Sequence, residues 1–468
     1  MFSLSSILYS ISFATTKLPN TIRVPEDFPT IQSAINNALA GDTILAANGT
    51  FNEHLTINKS ITLIGAGIGG TILNDTQTNT AIQIVADNIN IKGFTIQNFR
   101  TGVIINQSQN IYITENQIMQ IQTEGAVHII KSRNITLTKN IITNNDPSPG
   151  VYMVEANRTS FFYNVISHNG GIGISLTDCM NFTAVNNQIE YNGGDAICAL
   201  SNGYNLYIVG NTFTSNEFRG IWASHSSGTV FHNNFVRNGR TVYGENAHTI
   251  LSDFTWDDGY PSGGNYWSNY TGSDLYNGTN QNLFGSDGIG DVPSNIPEQG
   301  EQDKYPLMGN FTTQTTTIDV QNYTINFVSN FLITNIYANK SEKSLYFTIN
   351  NSKQEGFCSI TIPTSFMWCA NKVQWAATVN GVPTDRSIIE KGNSTYIYFT
   401  VAQGTHLAKI TATNIVPEIT LLALTFLLIS VLTTIISAIH KFKKTRIKTP
   451  IHESFHLQIK TRTNNSQN

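Results

Sequence analysis

Apolar and polar residues alternate with a period of two through five short segments, GAVHIIK, GVYMVE, GIGISLTD, DAICALS and GIWASH, which recur between residues 125 and 225. Alternation of this kind predicts strands with one face on a core. Between them runs a polar landmark, Asn116, Asn140, Asn164, Asn187, Asn211 and Asn233, at spacings of 22 to 24 residues. A second polar column follows five residues later, at Asn145, Asn169, Asn192, Asn216 and Asn238. Strand, turn, strand, turn, strand at this period predicts an all-β solenoid, a right-handed parallel β-helix whose coils lie about 4.8 Å apart. Leucine-rich repeats and propeller blades are disfavoured, the first by the missing Leu ladder and the second by the repeat length.

Stacked coils put equivalent residues in columns. An Asn repeated at one corner can bond its side-chain amide to the coils above and below, so the Asn columns are expected to be structural. Val127, Val151, Ile174, Ile197 and Ile221 are expected to point inward, and His128, Tyr152, Ser175, Cys198 and Trp222 outward. Three residues after that outward column come Lys131, Glu155, Asp178, Ser201 and His225.

The pattern changes at both ends. Ile31, Ala34, Ile35 and Ala38 have helical spacing and Gly41 follows them, which predicts a short amphipathic helix capping the solenoid. The solenoid with its cap and closing segment is assigned to residues 21–308, a Thr-rich linker to 309–317, and a β-sandwich-like spacer to 318–414. Ile419 to Ile439 is an uncharged apolar run, long enough at 1.5 Å per residue to cross about 30 Å of hydrocarbon. It predicts a transmembrane helix over 418–440, and the basic cluster Lys441, Lys443, Lys444, Arg446 and Lys448 places the tail 441–468 in the cytoplasm. The bulk of the chain is then extracellular, and residues 1–20 read as a short or truncated signal peptide.

Composition narrows the function. Only 12% of the 468 residues are charged and the formal net charge is -4, so nucleic acid is not the expected partner. The four cysteines show no zinc-type spacing; in an extracellular segment Cys358 and Cys369 are expected to form a disulfide. N-x-S/T triplets at Asn48, Asn134, Asn181, Asn269, Asn322 and Asn393 suit a surface glycoprotein, although a chain rich in Asn, Ser and Thr produces many such triplets by chance.

The stretch IRVPEDFPTIQSAINNALAGDTILAANGTFNEHLTINKSITLIGAG, Ile22 to Gly67, resembles the opening of NosD-like right-handed β-helix proteins, which belong to the carbohydrate-binding and sugar-hydrolase β-helix class. FTWDDGYPSGGNYWSNYTG, Phe254 to Gly272, and GSDGIGDVPSNI with DKYPLM resemble the closing segment of such helices in archaeal surface proteins. The resemblance spans Ile22 to Met308 and implies fold more than activity. The group is named for an accessory protein of copper-enzyme maturation, but the 10 His and 6 Met are dispersed here, which disfavours copper.

Three chemistries remain as candidates. Tyr152 and Trp222, with His128 beside them, form an outward column suited to sugar rings, so polysaccharide or other cell-envelope components are the expected partners. Glu155 and Asp178, with His225 or Lys131, supply acid and base groups for a lyase, hydrolase or epimerase, whereas the plainer reading makes Lys131 and Glu155 a cross-coil surface pair. Asp287 and Asp291, helped by Asp274, could hold Ca2+; the alternative is an ordinary Asp-Gly turn. A binding module at the cell surface is the preferred reading, with an enzyme and a purely structural envelope protein as alternatives.

Overall fold

The computed structural model describes residues 18–122, 125–239, 246–297 and 300–416. Most of the expected signal peptide, all of the transmembrane helix at 418–440 and the tail at 441–468 lie outside them. Among the described residues no helix is long and apolar enough to cross a membrane.

The chain winds into a parallel solenoid of about nine turns. Each full coil lays one strand on each of three faces. The first face stacks Val103, Val127, Val151, Ile174, Ile197, Ile221 and Ala247 in register. The second stacks Ile111, Ile135, Thr159 and Phe182. The third is a ten-stranded sheet from Gly49–Phe51 to Tyr266–Trp267. The inward column Val127, Val151, Ile174, Ile197 and Ile221 is buried as its alternation requires.

The corners carry both Asn ladders. Asn187 shows the arrangement: its backbone N–H and side-chain amide both donate to Asn211 Oδ1 at 2.9 Å, and the amide also donates to the Phe161 carbonyl at 2.9 Å. Its own Oδ1 accepts the same pair of donors from Asn164. The corner amides that stacking buries are thereby satisfied. The ladder continues one step further than the 22-to-24 spacing reveals, because Asn233 bonds Asn265, 32 residues on.

Both ends of the solenoid are covered. The helix Ile31–Asn37 starts at Thr30, whose hydroxyl accepts the Ser33 N–H, and it lies against strands Thr21–Val24, Thr43–Ala46 and Leu55–Ile57. Ile31, Ala34, Ile35 and Ala38 are buried against the first coils, and Gly41 turns the chain at φ 92°. At the other end Phe254, Trp256, Trp267 and Ile296 join the same core, and Trp267 stacks on Phe235 at 4.3 Å. Two carboxylates hold this plug. Glu301 accepts the Trp256 indole N–H and the Phe254 N–H, and Asp303 accepts the Trp267 indole N–H and the Asn265 N–H. Burial pushes Asp303 up to about 7, against hydrogen bonds from Asn265, Trp267 and Tyr305 that favour its charged form.

The Thr-rich segment 309–317 is no linker. It is the strand Asn310–Ile318, paired antiparallel with Gln321–Ser329, because β-branched Thr suits a pleated surface and Phe311, Thr316 and Ile318 are buried along it. These two strands belong to an eight-stranded antiparallel sheet built on the long strands Ser344–Pro363 and Ser394–Thr411. It folds over on itself: Phe327 is paired with Ile360, yet its ring lies 5.1 Å from Phe347, which is paired with Ala408. The bend falls at the register shift between Asn351 and Glu355.

Cys358 and Cys369 form no disulfide; both are free thiols. Cys358 is buried in mid-strand opposite Ser329 and Phe399, whereas Phe366, three residues before Cys369, packs on Tyr323. Tyr323 lies six positions along its strand from Ser329, about 20 Å. A disulfide needs Cα atoms within about 7 Å.

Candidate functional site

Two columns that run along the first face frame the candidate site. The outward one is in register as expected: Ile104, His128, Tyr152, Ser175, Cys198, Trp222 and His248 sit on successive coils. His128, Ser175, Cys198 and His248 are buried, and Tyr152 and Trp222 are half-buried. Segments that lead into the strands run beside this column: Gly125 lies against the His128 ring, and Asp195 and Arg219 act electrostatically on Cys198. His128 and Tyr152 lie 5.5 Å apart, ring to ring.

One of those segments brings in a residue that the repeat gives no reason to single out. Asp195 is only 2% exposed, and its carboxylate accepts the Arg219 N–H at 2.8 Å and faces the Arg219 guanidinium at 3.9 Å. Arg219 in turn lies 5.8 Å from the centroid of the Trp222 ring. Burial raises the Asp195 carboxyl, and Arg219 and His248 pull it back down. The signal that could have found this pair is offset: Asp195 and Arg219 are 24 residues apart, one coil, in a repeat otherwise read through its Asn. Cys198 is no nucleophile, because burial pushes its thiol up to about 12.

Beyond the aromatic column runs a second outward row, Ile130, Val154, Thr177 and Leu200, also half-buried. It makes an apolar strip between the rings and the corner. Sequence reasoning passed over it because apolar residues in a solenoid are assigned to the core by default.

The corner itself holds Lys131, Glu155, Asp178, Ser201 and His225, and their backbones explain them. All five adopt left-handed φ, between 49° and 56°. Each of Lys131, Glu155 and Asp178 donates its N–H to a carbonyl on the next coil, at 2.9, 3.0 and 3.2 Å. The side chains face solvent: Lys131 and Glu155 form an ion pair at 3.6 Å, each about half exposed, and Asp178 accepts the Asn202 amide at 2.9 Å. Ser201 separates Asp178 from His225, so the four expected acid–base residues stretch along an edge and do not converge. His168 sits in another left-handed corner, its ring stacked on Tyr191.

The three aspartates expected to hold Ca2+ are used otherwise. Asp274 accepts the Asp287 and Gly288 N–H groups at 3.0 and 2.8 Å, Asp287 accepts the Ile289 N–H, and Asp291 accepts the Leu275 and Tyr276 N–H groups. Each carboxylate thus already faces one or two amide dipoles, out of about four lone-pair sites. Burial pushes Asp274 up to about 7 and Asp287 to about 6, against backbone hydrogen bonds that favour their charged forms. Among the described residues no three His, Cys, Asp or Glu side chains gather as a metal-binding group.

Three parallel faces, corner ladders and capped ends define a right-handed parallel β-helix. Residues 80–236 match the family model described as right handed beta helix region. No curated protein matches the chain. Among solved structures it is similar to ORF18 of Geobacillus virus E2, at 14% identity over 81% of this chain and 76% of that one, with a TM-score of 0.32. It is also similar to the Dettilon tailspike protein, at 14% identity over 84% and 94% with a TM-score of 0.35. A PL6 family alginate lyase, AlyGC, shows 13% identity over 53% and 38% with a TM-score of 0.33. Scores of this size carry no functional information, so the site has to be judged from its own residues.

Proposed function

We propose that this chain is a surface protein whose β-helix binds polysaccharide along the first face. The supporting observation is the register column His128, Tyr152, Ser175, Cys198, Trp222, His248, with two half-buried aromatics in line. Tyr152 and Trp222 are three coils apart, about 14 Å. Sugar rings carry apolar C–H faces and hydroxyl edges, and aromatic side chains match the first while polar neighbours match the second. The half-buried strip Ile130, Val154 and Leu200 extends the apolar contact, and the Asp195–Arg219 pair braces the wall beside Trp222.

Anchoring by a helix at 418–440, with the β-helix outside the cell, completes the proposal and rests on the apolar run and its basic flank. An enzyme reading has weaker support, since Glu155 and Asp178 turn corners and their carboxylates are engaged by Lys131 and Asn202.

The test is a glycan array probed with the full-length chain in detergent. Wild-type protein is expected to bind at least one polysaccharide, and the double variant Tyr152→Ala, Trp222→Ala to lose at least about tenfold in affinity while unfolding at the same temperature. Unchanged binding by the double variant, or no binding to any glycan by the wild type, overturns the proposal.

A further inference from the structure

Around the corner from the aromatic column lies a furrow with no apolar side chain in its lining. It has a volume of about 410 Å³ and draws on four successive coils. Its origin is local. At this corner Gln107–Ser108–Gln109, Lys131–Ser132–Arg133 and Glu155–Ala156–Asn157 each place a small, buried residue between two outward ones. Ser108 and Ser132 make the floor, and the flanking side chains stand up as two parallel walls. The floor is closed by its own bonds: the Ser132 hydroxyl donates to the Ile130 carbonyl at 2.8 Å and accepts the Ser108 N–H at 3.1 Å.

The walls are held in place. On one side Asp87 accepts both the backbone N–H and the side-chain amide of Gln109, at 2.9 and 2.8 Å. Gln109 Oε1 then accepts Arg133 Nε at 2.6 Å, which fixes the plane of the guanidinium. On the other side stand Gln107 and the Lys131–Glu155 pair. Each wall carries one acid and one base, so the furrow sums to zero charge while presenting many donors and acceptors. One coil on, Met180 takes the place of Asn157 and is 43% exposed, which ends the polar stretch.

We infer that this furrow is a second carbohydrate site, for a neutral, hydroxyl-rich glycan. A hydroxyl is both donor and acceptor, and planar Gln, Asn, Arg and carboxylate groups meet it in both senses. A zero-sum lining offers no net attraction to a polyanion. A floor without rings means that this site grips sugar edges, in contrast to the ring contacts proposed for Tyr152 and Trp222. The inference rests on the reading that the chain binds polysaccharide.

The test is calorimetric titration of the full-length chain with glucan oligosaccharides and, separately, with oligogalacturonate, at about 50 mM and about 500 mM NaCl. The glucan is expected to bind with an affinity that salt does not alter. Arg133→Ala and Gln109→Ala should each weaken it by about five- to tenfold. Trp222→Ala should add its own loss independently in the double variant, with thermal unfolding unchanged in all. If Trp222→Ala weakens binding and the two furrow variants do not, the furrow assignment is wrong and the polysaccharide reading stands. Binding of oligogalacturonate alone, lost at high salt, overturns the neutral class. No binding of either sugar overturns the furrow assignment alone, because the polysaccharide reading falls only when the wild type binds no glycan on the array.

Discussion

Two columns in this solenoid look alike on paper and behave oppositely. The ladder from Asn116 to Asn265 and the edge from Lys131 to His225 each place one polar residue on every coil. The ladder is buried throughout, and its members repeat the same bonds to the next coil. The edge faces solvent, and its members share only a left-handed φ. What repeats along the ladder is a side-chain chemistry, and what repeats along the edge is a backbone angle. Left-handed backbone costs a non-glycine residue about 1 to 2 kcal/mol, which the coil-to-coil hydrogen bonds of the corner must offset.

The sharpest way to break this comparison is to remove a rung. Asn187→Ala removes the acceptor of the Asn164 N–H, one of the two acceptors of the Asn164 amide and the side-chain donor to the Phe161 carbonyl, and a loss of about 2 to 4 kcal/mol is expected in denaturant unfolding. A loss near zero would mean that water replaces the side chain.

The end of that ladder offers a second probe. Asp303, which accepts the Asn265 N–H, keeps its proton to about pH 7 when folded, against an ordinary value of 3.8. Between those values the folded state binds more protons than the unfolded one, so stability falls as pH rises from about 4 to about 7. His232 works the other way: fully buried, it is pushed down to about 4, and its contribution grows as pH rises from 4 toward 6.5. The difference between wild type and Asp303→Asn cancels His232. The variant is expected to lack the Asp303 share of the pH dependence in its unfolding midpoint, and parallel curves would contradict the burial argument.

The smallest effect sharpens the edge. Asp178→Asn should leave stability unchanged, since Asn accepts a left-handed φ, whereas Asp178→Val should lose about 1 to 2 kcal/mol by thermal unfolding. An Asp178→Asn variant as unstable as Asp178→Val would mean that the carboxylate, and not the angle, matters there.

Much of this architecture is legible without coordinates because a solenoid repeats its physics. Period-two alternation identifies the inward column, the Asn spacing identifies the ladders, and Ile31, Ala34, Ile35 and Ala38 identify the cap. The errors fall where the repeat stops speaking. The polarity of residues 309–317 suggests a linker only because Thr is polar; its β-branching makes a strand. Cys358 and Cys369 are close in sequence, but the intervening residues run straight to Pro363 and carry them apart. The Asp274, Asp287 and Asp291 motif has the composition of a cation loop, and what spacing does not show is that amide N–H groups of the same region point at its carboxylates.

The sequence by itself determined that the chain coils, which residues face inward, and that Asn would stack on Asn, because each of these follows from a local period. Only the tertiary structure decided that Asp178 turns an edge, that Asp195 reaches across one coil to Arg219 beside Trp222, and that the corner opens into a polar furrow. Those outcomes depend on which side chains from different coils meet and on which N–H groups point at which carboxylates, and neither is encoded in spacing alone.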